Sequence, residues 1–197
     1  GSGKGTLAKN LSIKLNFDHL DTGILYRICA YEIKIKQKEM SKVNIMEYLN
    51  NQKLKAELRK DEISKYASII SKNIKIREFL LKFQRDFANN PPNRFGSVID
   101  GRDIGSVVIP NANLKFYIDA NPEIRAKRRL LELKLDQSKY PEILENIIKR
   151  DKSDQSRKIS PLKKTDDCYL IDTSSLSENE VLDLAIKILK NKTEFIK

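Results

Sequence analysis

Residues 1–6 read "GSGKGT", from Gly1 to Thr6. A loop of the form G-x-x-x-x-G-K-[ST] sits between a buried strand and a helix, wraps its backbone N–H groups around polyphosphate, and belongs to a parallel α/β sheet. Gly3-Lys4 supplies the G-K of that pattern, but the first glycine falls ahead of Gly1, and the hydroxyl comes one place late, at Thr6, because Gly5 follows Lys4. No apolar run precedes the loop to form the strand it requires. The expectation is a chain lacking its true N-terminus, with the first strand missing, less stable and less active than the intact protein.

Working outward, apolar residues at Leu7, Ala8, Leu11 and Leu15 have helical spacing and put one face of Thr6–Leu15 on a sheet. "FDHLD" at Phe17–Asp21 reads as a strand, and Ile24–Ile35 as a second helix. The stretch from Lys36 to about Ile70 is polar and lysine-rich, with two short helices expected at Ile45–Leu54 and Asp61–Ser71. Ile76–Phe87 is an amphipathic helix, broken by "NNPPN" at Asn89–Asn93. "SVIDG" at Ser97–Gly101, "NLKFYIDA" at Asn113–Ala120 and "CYLIDT" at Cys168–Thr173 are strands. Helices are expected from Pro122 to about Lys134, from near Pro141, and after Ser177, where Glu180 completes a capping box. Strands alternating with helices mean a parallel sheet with crossover connections.

In an open parallel sheet, ligands bind beyond the carboxyl ends of the strands. The segments at those ends are, in chain order, the loop Gly1–Thr6, Asp21-Thr22-Gly23 with Tyr26-Arg27, "DGRDIG" at Asp100–Gly105, and "DANPEIRAKRR" at Asp119–Arg129. Glycines, acids and arginines thus gather along one edge. The net charge of +11 fits an anionic partner, but the lysines are scattered and no nucleic-acid-binding signature appears, so nucleic acid is not expected. No stretch approaches the roughly 20 apolar residues of a membrane span. Two distant cysteines, Cys29 and Cys168, and a single histidine, His19, suit a reducing cytoplasm without a structural metal.

In order along nearly the whole chain, "GSGKGT", "LDTGILYR", "IREFLLKFQRDF", "DGRDIGSVVIPNA", "KFYIDANPEIRAKRR", "IIKRDKSDQSRKISPL" and "DDCYLIDTSSLS" resemble the bacterial cytidylate kinases, which phosphorylate CMP and dCMP with ATP. The resemblance implies an α/β, P-loop NTPase-type three-layer fold with a parallel β-sheet. It implies a kinase core over 1–35 and 74–197 with a lid at about 136–162, and a monophosphate-binding insertion over 36–73. It also implies a monomer that uses magnesium.

Phosphoryl transfer between polyanions needs positioning and charge neutralisation. The resemblance gives ATP to Gly1, Ser2, Gly3, Lys4, Gly5 and Thr6, with Thr6 the hydroxyl near magnesium. Arg125 and Arg129, four apart on one helix, match an arginine over adenine and one on phosphate; a solvated basic helix is the alternative. The resemblance gives the acceptor phosphate to Thr22, Arg27 and Arg102, a task the arginine fork suits. A reader of cytosine must offer an acid to the N4 amino group and donors to N3 and O2. The resemblance supplies Asp103, Arg77 and Ser68 for that task, and Asp154, Arg150 and Arg157 for the sugar and lid. Lys4, Arg102, Arg150 and Arg157 are the implied catalytic cations.

By their own pattern, Arg77 also reads as exposed on an amphipathic helix, Asp103 as a turn cap, Asp100 as structural in a similar way, Tyr26 and Cys29 as core, and His19 as structural. The lysine-rich stretch before "LRKDEISKYAS" at Leu58–Ser68 is short, so the insertion is expected to be trimmed, with its hairpin reduced or absent. Rival readings are another nucleoside or shikimate-type kinase, or a basic nucleic-acid-binding P-loop protein.

Overall fold

The computed structural model describes residues 1–49, 51–58, 60–156 and 159–192. Helix α1 (Lys4–Leu15) leaves the loop at Gly3, whose φ of +81° favours glycine, and ends at Asn16 in the left-handed conformation. Strand β1 (Asp18–Asp21) runs into α2 (Thr22–Ala30), whose first turn is capped by the Asp21 carboxylate accepting from Gly23 N–H at 2.9 Å. After α3 (Ile45–Leu49), α4 (Gln52–Glu57), α5 (Asp61–Ile70) and α6 (Ile74–Asn89) comes β2 (Ser97–Asp100). The chain closes with β3 (Phe116–Asp119), α7 (Pro122–Glu132), α8 (Tyr140–Ser156), β4 (Tyr169–Asp172) and α9 (Glu178–Lys192). Ser177 and Glu180 form the expected capping box at α9: Ser177 N–H donates to the Glu180 carboxylate at 2.8 Å, and Glu180 N–H to Ser177 Oγ at 3.3 Å.

The fold is mixed α/β with parallel strands, as the alternation predicts. Three local readings differ. The second helix stays α-helical only to Ala30 and then widens into a π-turn over Tyr31–Ile35. There Glu32 is fully buried and meets Tyr48 Oη, Lys36 Nζ at 3.1 Å and Lys38 Nζ at 2.5 Å. Burial alone would raise the Glu32 carboxyl, but hydrogen bonds from Lys38, Tyr48 and Lys36 outweigh it and hold the carboxyl below its ordinary value. Second, one expected helix over Ile45–Leu54 divides into α3 and α4, because Asn51 Oδ1 accepts from Lys53 and Leu54 N–H and starts a new helix. Third, the four strands among the described residues are each only four residues long, β3 half the length its apolar run suggests.

Among the described residues, 36–73 form helices and no strand. They have no core of their own: Tyr48, Leu58 and Ile63 are buried in one cluster with Leu25 and Ile28 of α2 and Leu80 of α6. Cys29 lies in the same cluster, and burial pushes its thiol up to about 12, so it is the inert core cysteine its position predicts.

The strands form two separate parallel pairs, β1 with β2 and β3 with β4. Asp18 to Asp21 align with Ser97 to Asp100, and Phe116 to Asp119 with Tyr169 to Asp172. Both pairs rest on α1 and α9, where Leu7, Leu11, Ile171, Val181 and Ala185 form a second core against which Val98 and Phe116 pack. Strands of parallel sheets are normally covered on both faces. Here β2 and β3 carry the apolar runs, yet Val98, Ile99, Phe116 and Ile118 are only half-buried, whereas Leu20 of β1 and Ile171 of β4 are 2% and 1% exposed. The edges of β2 and β3 away from their partners line one common cavity.

Candidate active site

The loop Gly1–Gly3 reaches α1 without a side-chain cap, so no side chain of the described residues takes up the N–H groups of the first turn. That end of the helix favours negative charge. Lys4 Nζ lies 3.5 Å from Asp100 Oδ1, and a Cβ at Gly5 would stand 3.2 Å from Asp100 Oδ2. Asp100, at the end of β2, thus lies against the Gly1–Thr6 loop, a structural contact. Burial raises its carboxyl, with the Lys4 ammonium opposing. His19 on β1 is half-buried, and desolvation lowers its pKa.

The turns after β1 and β2 carry the next group of residues. Thr22 is buried, and its hydroxyl donates to the Asp100 carbonyl at 2.8 Å, across 78 residues. A side chain at Gly101 would collide with Thr22 Oγ1, which fixes glycine there. Arg27 on α2 is half-buried and lines the cavity, and no carboxylate among the described residues pairs with it. Arg102 pairs with Asp154 of α8, which Arg150 Nε approaches at 3.9 Å. Burial, followed by the nearby Arg150 charge, pushes Arg102 below the ordinary arginine value.

On α6, Arg77 is not the exposed residue its periodicity allows. It is 9% exposed, pairs with the buried Asp103, donates through Nη1 to the Ser71 carbonyl at 3.0 Å, and lies 5.7 Å from the centre of the Tyr26 ring. Tyr26 packs on the core as expected, and it also lines the cavity beneath the Arg77 guanidinium. Ser68 of α5 lines the same wall.

On the other side, Arg125 of α7 pairs with Asp151 of α8 at 2.6 Å, and its side chain is 15% exposed. That rejects a solvated face for Arg125. Arg129 is more open, and binds Glu132 at 3.0 Å one turn along the helix. Arg157 lies outside the described residues.

All the other residues expected at the site line a single cavity of about 2020 Å³. Small-ligand pockets are roughly 300–1,000 Å³. The space thus exceeds that range, and both the loop Gly1–Thr6 and the buried Asp103–Arg77 pair line it. Asp100, Asp151, Arg128 and Thr173 also line the cavity, and sequence reasoning gave none of them a site role. Asp100 and Asp151 stand inside the quoted motifs "DGRDIG" and "IIKRDKSDQSRKISPL", but their arginine and lysine partners are distant in sequence.

A family model described as cytidylate kinase matches residues 1–191 of the chain. The chain belongs to the cytidylate kinase family. Curated cytidylate kinases of Thermosipho melanesiensis and Fervidobacterium nodosum are each 40% identical to it, over 98% of this chain and 94% and 93% of their own lengths. That of Clostridium tetani is 39% identical over 97% of this chain and 90% of its own length. Such a kinase must bring two polyanions together, and the paired arginines of this cavity are suited to that task.

Proposed function

We propose that this chain transfers the γ-phosphoryl group of ATP to CMP or dCMP, giving CDP or dCDP and ADP. The observation that carries the reading is one cavity holding both the loop Gly1–Thr6 with Lys4 and the Arg77–Asp103 pair. An oxygen of the acceptor phosphate attacks the γ-phosphorus in line, and the bond from phosphorus to the bridging oxygen breaks with ADP leaving. Lys4 and the loop N–H groups hold the β- and γ-phosphates. Arg125 lies over adenine and Arg129 reaches phosphate.

Arg27, Arg102, Arg150 and Arg157 neutralise the acceptor phosphate and the transferring group. Thr22 joins them by turning its hydroxyl from the Asp100 carbonyl toward phosphate. Asp103 accepts from cytosine N4 while Arg77 and Ser68 donate to N3 and O2; Asp154 takes the sugar. Uracil sets a carbonyl oxygen against the Asp103 carboxylate, which penalises UMP.

Magnesium fits the donor set: Thr6 and Asp100 offer a hydroxyl and a carboxylate beside the loop, and this ion prefers few protein oxygens together with water and substrate phosphates. Bound there, it would offset phosphate charge.

The kinase core is 1–35 and 74–197, the insertion 36–73, and residues of about 136–162 form a lid that excludes water on closing. The ion pairs Arg102–Asp154 and Arg125–Asp151 connect that lid to the core. The chain acts as a cytoplasmic monomer. No helix of the described residues is long and apolar enough to cross a membrane.

The sheet is completed by a fifth parallel strand between β2 and β3, leading into Gly1, in a three-layer P-loop arrangement. The half-buried apolar residues of β2 and β3 support this placement. A chain extended upstream of Gly1 by a short apolar strand should melt well above the present one; equal melting temperatures would contradict the fifth strand. For the activity itself, ADP release from ATP should depend on added CMP or dCMP, and release that ignores both would overturn the reading.

A further inference from the structure

We infer that Thr173 and Arg128 are positioning residues of the phosphate loop, holding its first two carbonyls outward so that the following N–H groups face the donor phosphates. The inference rests on the phosphate-loop reading above. Thr173 follows β4, is 2% exposed, and continues the strand ladder by donating its N–H to the Asp119 carbonyl at 2.8 Å. Its hydroxyl donates to the Ser2 carbonyl at 2.9 Å. Arg128 of α7 binds it from the other side: Nη1 donates to Thr173 Oγ1 at 3.0 Å and Nη2 to the Thr173 carbonyl at 2.6 Å. The same Nη1 reaches the Gly1 carbonyl at 3.4 Å.

Peptide geometry turns these contacts into a directional constraint. No peptide bond here is cis, so each C=O points opposite to the N–H of the same planar unit. With the Gly1 and Ser2 carbonyls drawn toward Arg128 and Thr173, the N–H groups of Ser2 and Gly3 point away from them. Neither N–H has an acceptor among the described residues, as suits donors kept for phosphate oxygens. The pair is itself well fixed. Ser174 N–H donates to Asp172 Oδ1 at 2.8 Å, Asn121 N–H donates to Ser174 Oγ at 2.9 Å, and Gly1 packs so closely on Arg125 that a Cβ there would lie 2.9 Å from the Arg125 carbonyl oxygen. Preorganised donors need no rearrangement when charge arrives.

Thr173→Val keeps the shape and removes the hydroxyl, Thr173→Ser keeps the hydroxyl, and Arg128→Lys keeps the charge but loses the fork. Calorimetric titration with ADP should show Thr173→Val and Arg128→Lys binding about tenfold more weakly, the worth of roughly one hydrogen bond. KM for ATP should rise in step while KM for CMP stays within about twofold, and Thr173→Ser should recover ADP affinity. Unchanged ADP binding in Thr173→Val, KM values for ATP and CMP that rise together, or Thr173→Ser no better than Thr173→Val would each overturn the inference. A parent chain that binds ADP yet does not phosphorylate CMP would fault the acceptor reading alone, leaving the calorimetric comparison to decide Thr173; a parent chain that does not bind ADP would overturn both.

Discussion

Replacing Asp103 with asparagine should lower kcat/KM for CMP by about 10²–10³-fold, equivalent to losing ~3–4 kcal/mol of transition-state binding, and leave KM for ATP nearly unchanged. The size follows from burial. Asp103 and its partner Arg77 are 6% and 9% exposed, so water does not replace a lost charge-assisted hydrogen bond. Asparagine has nearly the same shape, so the expected loss is chemical rather than steric. It can also turn its amide N–H toward uracil O4, so the preference for CMP over UMP should narrow as CMP use falls. A residue that merely caps a turn would weaken both nucleotides alike, or change neither, and would leave base preference where it was.

Arg102→Lys should reduce kcat by about 10²–10³-fold, the usual cost of removing one preorganised donor from developing charge. Lysine keeps the positive charge, and Asp154 can still pair with it, so the protein should remain folded. What disappears is the planar fork that binds phosphate through two parallel hydrogen bonds. Arg102 is well covered, with 28% of its side chain exposed, and lies between Asp154 and the turn after β2. If it were only an ion-pair partner for Asp154, the substitution would shift the melting temperature and spare kcat. Turnover of CMP at saturating substrates separates the two.

Both residues were legible in the sequence because they sit in one short motif, "DGRDIG", after an apolar strand. Features governed by neighbours along the chain were equally readable. Ser177 and Glu180 meet within three residues, and Asn121 caps α7 through Glu123 N–H two residues on. Thr173, Arg128 and Asp100 stand in quoted motifs too, but nothing in those motifs signals what they touch. Their partners stand far along the chain, 171 residues for the Thr173–Ser2 bond and 45 for the Arg128–Thr173 bond, and no periodicity encodes a contact of that range. Glu32 went unread for another reason. A glutamate among lysines reads as a solvated helix face, but the π-turn directs it into the core, where Tyr48, Lys36 and Lys38 satisfy it. Asn51 dividing an expected helix is a local effect that simple apolar spacing overlooks.

Phosphoryl transfer from limiting ATP into an equimolar mixture of CMP, dCMP, UMP and AMP is the most direct measurement of a cytosine-directed kinase. CDP and dCDP should account for nearly all of the product formed at early times, with UDP a minor species. AMP as the best acceptor, or UMP used as readily as CMP, would contradict the assignment of Asp103 and Arg77 to the cytosine edge.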